Sequence, residues 1–261
     1  TIGKNDMDGL KRLLSFGRRA ADDFSMIDEG DRIAVGLSGG KDSVSLLYML
    51  AALRRFYPKQ FALGALSIDL GRQGVDFSAL RALCKELEVP YEVIPSEIAK
   101  IVFEVRREEN PCALCAKLRR GILNTAAAER GYNKVALGHH FDDAVETFML
   151  NLFYEGRIGS FSPVTHLSRS GITVIRPLIY AQEKDLRYFA RKNDLPVQSS
   201  CCPADMHTQR EEMKQLLRSL ERENKGLRHR IFGAMQRAGI DGYGILGNSG
   251  ETADDSRLPN V

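Results

Sequence analysis

The sequence predicts an α/β protein: an open, doubly wound, mostly parallel sheet of about five strands with helical additions at both ends. Three observations predict it. Short apolar runs alternate with helix-patterned stretches between residues 31 and 180, which favours right-handed crossovers and a sheet covered on both faces. A glycine-rich turn falls where the first apolar run hands over to a helical pattern. The composition, 43% hydrophobic and 27% charged over 261 residues, is that of an ordinary globular chain able to bury a large core.

In chain order, residues 10–24 carry apolar positions at helical spacing among Lys11, Arg12, Arg18 and Arg19, an amphipathic helix with a basic outer face. Residues 32–37 (RIAVGL) read as a buried strand and residues 44–54 as the helix after it. A second strand is expected over 61–68, a helix near 77–87 and a third strand over 91–94. Next come a helix ending near Glu108, a Pro-Cys-Ala-Leu-Cys element and a helix over 117–130 closed by Gly131. Residues 134–137 (KVAL) are β-compatible, and 142–153 are helical. Beyond Pro177 the pattern turns helical, over 182–193 and again in a basic region from about 208 to 238. Residues 239–261, rich in Gly, Asn, Asp and Ser, read as a disordered tail. The chain thus divides into an N-terminal helical segment (1–30), an α/β domain (31–180), a C-terminal helical region (181–238) and the tail.

A net charge of +3 is too mild to demand a polyanionic partner, although 37 basic residues can gather on one face. No apolar run reaches the roughly 18 residues of a membrane span, and Lys4, Asp6, Asp8 and Lys11 interrupt any secretory signal, so a cytoplasmic protein without a membrane partner is expected. Five cysteines in such a chain argue against a disulfide framework and for metal binding or redox chemistry.

Ser38, Gly39, Gly40, Lys41, Asp42 and Ser43 occupy the strand-to-helix turn, where free backbone N–H groups and the positive helix end favour an anion. The glycines let a phosphate approach the main chain, the serines add hydroxyl donors and Lys41 neutralises charge. Asp42 would repel a bare phosphate, which points to a bound cation or a capping role. The spacing is neither that of the Walker loop nor G-x-G-x-x-G. It matches SGGxDS, the motif of the PP-loop pyrophosphatase superfamily, whose members cleave ATP between the α and β phosphates to adenylate a substrate. A serine-capped glycine turn is the plainer reading of the six residues alone.

Cys112 and Cys115 form a C-x-x-C at a helix start, where two sulfurs reach one metal centre and thiolate is favoured. Spacing alone leaves half a zinc site, a redox dithiol or two cluster ligands open. Cys84 lies on an apolar helix stripe and reads as core. After the KVAL run come Gly138, His139, His140, Asp142, Asp143 and Glu146, with both aspartates at a helix start and Glu146 one turn on. These carboxylates suit magnesium or the positioning of a substrate, and equally a helix cap. The His pair suits zinc or general acid work.

Taken together, FSMIDEGDRIAVGLSGGKDS, PCALCAKLRRGIL, ALGHHFDDAVETFMLNLFY and IRPLIYAQEKDLRYFA resemble the tRNA 2-thiocytidine synthetase family over residues 10–235. The paired cysteines followed by LRRG separate it from the lysidine synthetases, and the absence of zinc-ribbon cysteine sets from the thiouridine enzymes. The resemblance implies ATP- and magnesium-dependent replacement of O2 by sulfur in a tRNA cytidine, at position 32 of the anticodon loop, on a 4Fe-4S cluster held by three cysteines. It implies a sulfur donor, either sulfide or a cysteine desulfurase, and commonly a homodimer. It assigns ATP to Ser38–Ser43 and Gly138, catalysis to Lys41, Asp42, His139 and Asp143, and magnesium to Asp42 and Asp143. It assigns the cluster to Cys112, Cys115 and Cys202, the last chosen over Cys201 by anchoring on the downstream TQREEMKQLL. Here the chain departs from the family's usual C-x-x-C, with Ser199 at the first position.

Arg106, Arg107, Lys117, Arg119 and Arg120 bracket the cysteine pair, and Arg210, Lys214, Arg218, Arg222, Arg228 and Arg230 stud the last helices. On the RNA reading both sets grip anticodon-stem phosphates while a base is splayed out; each taken singly is an ordinary solvated residue. The rival readings are an ATP-dependent sulfurtransferase or amidase for a small molecule, and a non-catalytic metal-binding RNA protein or redox sensor.

Overall fold

The computed structural model describes residues 7–72, 74–106, 111–198 and 209–244. Six strands form one sheet: β1 (Asp31–Gly36), β2 (Phe61–Asp69), β3 (Tyr91–Pro95), β4 (Lys134–Ala136), β5 (Val164–Leu167) and β6 (Ile172–Ile175). Their order is β3-β2-β1-β4-β6-β5, parallel throughout except for the β5–β6 hairpin at one edge. The chain steps outward from β1 to β3 and then crosses back to β4, so β1 and β4 flank the point where the winding reverses.

Side chains alternate across the strands with period two. Ile33 and Val35 of β1 enter one apolar cluster, while Ala34 joins Leu66, Val135, Ile172 and Val174 in another on the opposite face. Leu123, Ala126 and Ala127 of α4 (Pro111–Glu129) cover the second cluster. The first is covered by α2 (Lys41–Leu53), which buries Val44, Leu46, Leu47, Met49, Leu50 and Leu53 and is therefore apolar almost all round.

The terminal segments complete this first cluster. Leu13 of α1 (Met7–Asp23), Leu186 and Phe189 of α6 (Glu183–Lys192), Met213 of α7 (Gln209–Glu223) and Phe232 of α8 (Leu227–Arg237) all belong to it. So do α3 (Ser78–Glu86), through Leu80, Leu83 and Cys84, and α5 (Phe141–Tyr154), through Phe141, Ala144 and Val145. Cys84 is core as expected, and burial pushes its thiol up to about 11.

Three expectations are corrected. The sheet has six strands and not five, because the hairpin over 164–175 was not foreseen. The helix before the cysteine pair is a π-helical segment, Lys100–Arg106. Residues 239–244 are ordered: Tyr243 is fully buried against Phe24 and Phe232, because an aromatic ring of that size gains more from the core than from solvent.

At the amino edge of the sheet the buried Lys134 Nζ meets Asp31 at 2.7 Å, Asp28 at 2.9 Å and the Met26 carbonyl at 3.1 Å. A buried ammonium is tolerated only when paired in this way. No described helix is long and apolar enough to cross a membrane.

Candidate functional site

Because β1 and β4 are parallel neighbours, the turns that follow them open side by side at the carboxyl edge of the sheet. The phosphate-loop sequence follows β1, and Gly138-His139-His140 follows β4. Helix α4 returns the chain from this edge to the start of β4. Its Leu123 already lies at Gly36, the last residue of β1. Cys115 and Cys112 are eight and eleven residues nearer the helix start, so they overhang the edge by about 12 and 16 Å along the axis.

Gly39 has φ +82°, open to glycine but strained for other residues. Gly40 is extended and caps α2. Ser43 Oγ lies 3.1 Å from Ser38 Oγ and donates to the Gly40 carbonyl at 2.9 Å, and the Ser38 amide donates to it at 3.2 Å, so the loop is braced from within. The Gln198 amide donates to the Gly39 carbonyl at 2.9 Å. A Cβ on Gly138 would stand 3.0 Å from the backbone of Asp42 and Ser43, so this glycine lets the β4 exit lie against the first turn of α2. Gly39→Ala adds backbone strain and drives a methyl to 2.6 Å from the Gln198 side chain. It is expected to weaken ATP binding about tenfold or more, measured by calorimetry, with a stability loss of about 1–2 kcal/mol.

Lys41 Nζ contacts Asp42 at 3.0 Å and Glu183 at 3.3 Å, and Glu183 also binds Lys214 at 2.8 Å and Arg187 at 3.0 Å. Burial alone would raise the Glu183 carboxyl, but Lys214, Lys41 and Arg187 outweigh it and hold the group down to about 2. Burial likewise opposes the Lys41 charge, and Asp42 and Glu183 more than restore it.

His140 caps α5: its Nδ1 accepts from the Asp143 amide at 3.4 Å, and Asp143 accepts from the His140 amide at 3.0 Å. The two carboxylates assigned to magnesium flank one ring nitrogen, His140 Nε2, with Asp42 Oδ1 at 3.9 Å and Asp143 Oδ2 at 3.5 Å. Asp42 Oδ1 is buried without a hydrogen-bond partner. A buried, unpartnered carboxylate oxygen facing a second carboxylate fits a hard cation, which takes few protein ligands when phosphates supply the rest. No cluster of three or more His, Cys, Asp or Glu that would hold a metal by itself occurs among the described residues.

Asp142 takes a different part. Its Oδ2 accepts from the Glu183 amide at 2.8 Å and its Oδ1 pairs with Arg228, so it joins the starts of α5 and α6 to α8. Glu146 is buried with one oxygen unpartnered; burial, then Asp143, push it up to about 7.

His139 stacks on Phe161 at 4.9 Å with Nδ1 unpartnered, and burial, then the nearby Arg176, pull it down to about 4. Burial therefore favours the neutral imidazole. Folded His139 resists protonation until about pH 4 whereas the unfolded value is 6.5, so its contribution is intact above 6.5 and is lost as pH falls toward 4. An NMR titration of the ring should show a midpoint near 4, and one near 6.5 would refute the burial account.

Cys112 and Cys115 sit one turn apart in α4, half-buried and not disulfide-bonded. Cys201, Cys202 and Arg107 lie outside the described residues. Arg106, Lys117, Arg119 and Arg120 are exposed around the cysteine pair. The C-terminal basic residues differ in their partners, with Arg210, Arg218, Arg222 and Arg230 exposed and Lys214 and Arg228 largely covered. Arg210 binds Asp143 at 3.3 Å, Lys214 binds Glu183, Arg228 binds Asp142, Arg218 reaches Glu211 at 3.8 Å, and Arg230 donates to the Lys225 carbonyl at 2.9 Å. Asp143, Glu183 and Asp142 thus tie α7 and α8 to the site through Arg210, Lys214 and Arg228. Sequence reasoning missed Glu183, Arg176 and Gln198 as members of the site.

The PP-loop domain family matches residues 14–221. A tRNA-cytidine(32) 2-sulfurtransferase of Geobacter metallireducens is 44% identical over 222 residues, covering 83% of this chain and 86% of that protein. Another, from Pseudomonas syringae, is 37% identical over 238 residues, covering 90% and 87%. Among solved structures, the U34-tRNA thiolase NcsA of Methanococcus maripaludis, described with its 4Fe-4S cluster, aligns at a TM-score of 0.72 and 24% identity over 88% of this chain and 79% of that one. This last likeness is one of fold.

Proposed function

The chain belongs to the tRNA-cytidine(32) 2-sulfurtransferase family of PP-loop proteins, and from that membership we propose that it uses ATP to exchange O2 of a tRNA cytidine, at position 32, for sulfur. The observation that carries this reading is the shared carboxyl edge: a braced phosphate loop, two carboxylates converging on one spot, and an overhanging thiol pair beside exposed arginines.

The phosphate loop, Ser38 to Ser43, holds the triphosphate with backbone N–H groups, serine hydroxyls and Lys41. Asp42 and Asp143 would hold magnesium, which would neutralise phosphate charge there. The cytidine O2 attacks the α-phosphorus and pyrophosphate leaves. Hydrosulfide then adds at C2, the C2–O2 bond breaks, AMP departs with the former O2, and the sulfur proton passes to solvent. His139 lines the edge with its buried Nδ1 unpartnered. Cys112, Cys115 and Cys202 are the proposed ligands of a 4Fe-4S cluster, which when bound offers an iron without a protein ligand for hydrosulfide.

Arg106, Arg107, Lys117, Arg119 and Arg120 take the RNA backbone, and the sulfur arrives as sulfide or from a cysteine desulfurase. Exposed Leu152, Phe153, Tyr154 and Ile158 at the end of α5 offer apolar surface for a homodimer. The test is anaerobic incubation of the reconstituted protein with unmodified tRNA, ATP, magnesium and sulfide, followed by nucleoside mass spectrometry. 2-Thiocytidine with matched AMP and pyrophosphate is expected; pyrophosphate without any thiolated base would overturn the assignment.

A further inference from the structure

Arg176 is buried at the carboxyl end of β6, in register beside Leu137 and two residues from the position of His139. Its Nη1 donates to the Ser162 carbonyl at 2.5 Å and to Thr165 Oγ1 at 3.2 Å, and its guanidinium lies 5.0 Å from the centre of the Phe161 ring. These contacts fix the plane of the group without neutralising it. No carboxylate lies within ion-pair distance of Arg176 among the described residues, and its Nε has no hydrogen-bond partner.

The contrast with the neighbouring cations gives this meaning. Lys134, equally buried at the other end of the adjacent strand, has two carboxylates. Lys41, Lys214, Arg210 and Arg228 each have at least one. A buried charge without a counter-ion is costly to the free protein, and such a cost persists at sites whose partner is a ligand. The imidazole of His139, whose ring centre lies 4.9 Å from that of the same Phe161, adds a second buried and unpartnered nitrogen, Nδ1.

We infer that Arg176, with His139 beside it, forms an oxyanion site that takes a phosphate oxygen brought by a ligand. The inference rests on reading this edge as the nucleotide and RNA site. Two sources share that chemistry: the α-phosphate of the bound nucleotide, retained in AMP, and a phosphodiester of the RNA strand. A planar guanidinium held on one side by a carbonyl and left unpartnered at its buried Nε is suited to either.

Arg176→Met and Arg176→Gln remove the charge, and Arg176→Lys keeps it without Nε. Two bindings are measured on the full chain: AMP and ATP by calorimetry, and an anticodon stem-loop RNA by fluorescence anisotropy across a salt series. Loss of nucleotide affinity by about tenfold or more in the Met and Gln variants, with a smaller loss in the Lys variant, assigns the α-phosphate. An equal loss for the RNA, with a salt slope shallower by about one, assigns the strand. Arg176→Met should also melt no lower than the parent, since the free protein loses an uncompensated charge; a merely structural arginine would give a lower Tm and unchanged affinities. Unchanged affinity for both ligands overturns the inference. Neither readout requires thiolation, so a chain that binds phosphate through Arg176 yet makes no 2-thiocytidine would retire the proposed function and leave this site standing.

Discussion

Replacing Cys112 or Cys115 by serine is expected to reduce tRNA thiolation by about a thousandfold or more while pyrophosphate release stays within a few-fold of the parent. The separation follows from placement. The pair overhangs the sheet edge on α4, whereas the loop that cradles the triphosphate is braced by its own serines and by Gln198. Serine nearly matches cysteine in size but ligates iron poorly, and at these half-buried positions it should shift the melting temperature by no more than a few degrees. Cys84→Ser serves as the opposite control. That thiol is core, and burial pushes it up to about 11, so a hydroxyl there should cost about 1–2 kcal/mol and leave activity per folded molecule unchanged. Iron content and 2-thiocytidine yield are the readouts, and normal thiolation by Cys115→Ser would remove the pair from the sulfur chemistry.

The parts of this site that were legible in the sequence are those whose signal is local. A buried strand, two glycines and a helix start lie within a dozen residues, so the anion-binding turn declares itself without tertiary information. The same holds for the Asp142–Asp143 helix start, although sequence spacing could not divide the two: Asp143 faces Asp42 across His140, while Asp142 turns away to cap α6 and hold Arg228. The β5–β6 hairpin escaped because four-residue strands are too short for a periodic signal. Its one cue was Ile172-Thr173-Val174-Ile175 following a glycine turn at Gly171.

What remained illegible depended on which charges meet in space. Read linearly, Arg210, Lys214 and Arg228 are basic residues on an amphipathic pair of helices, a pattern shared by RNA-binding faces and solvated surfaces. Folded, each finds a carboxylate at the start of α5 or α6, and the helices become the wall of the site. Arg210 and Lys214 stand one turn apart on α7, a spacing consistent with two cations facing one acidic partner surface. Arg176 was hidden for the converse reason: its significance lies in a missing carboxylate, which only a folded chain reveals.

Asp42→Asn should give effects of opposite sign in two measurements on one variant. Without magnesium the carboxylate at the first turn of α2 repels the triphosphate held by the same turn, so the amide should bind ATP several-fold more tightly. With magnesium the relation inverts. The buried Asp42 Oδ1 has no protein donor, and in the proposed complex the cation is its partner. Losing that ligand should lower pyrophosphate release by about 10²–10⁴-fold and raise the magnesium concentration needed for half-maximal rate. Asp143→Asn should share the magnesium defect without the gain in metal-free binding, because Asp143 belongs to the first turn of α5 and is already countered by Arg210 at 3.3 Å. A purely structural Asp42, paired with Lys41 at 3.0 Å, predicts instead that Asn lowers the melting temperature and leaves the magnesium dependence untouched. The paired signs therefore test whether the unpartnered oxygen is a cation ligand or an accident of packing.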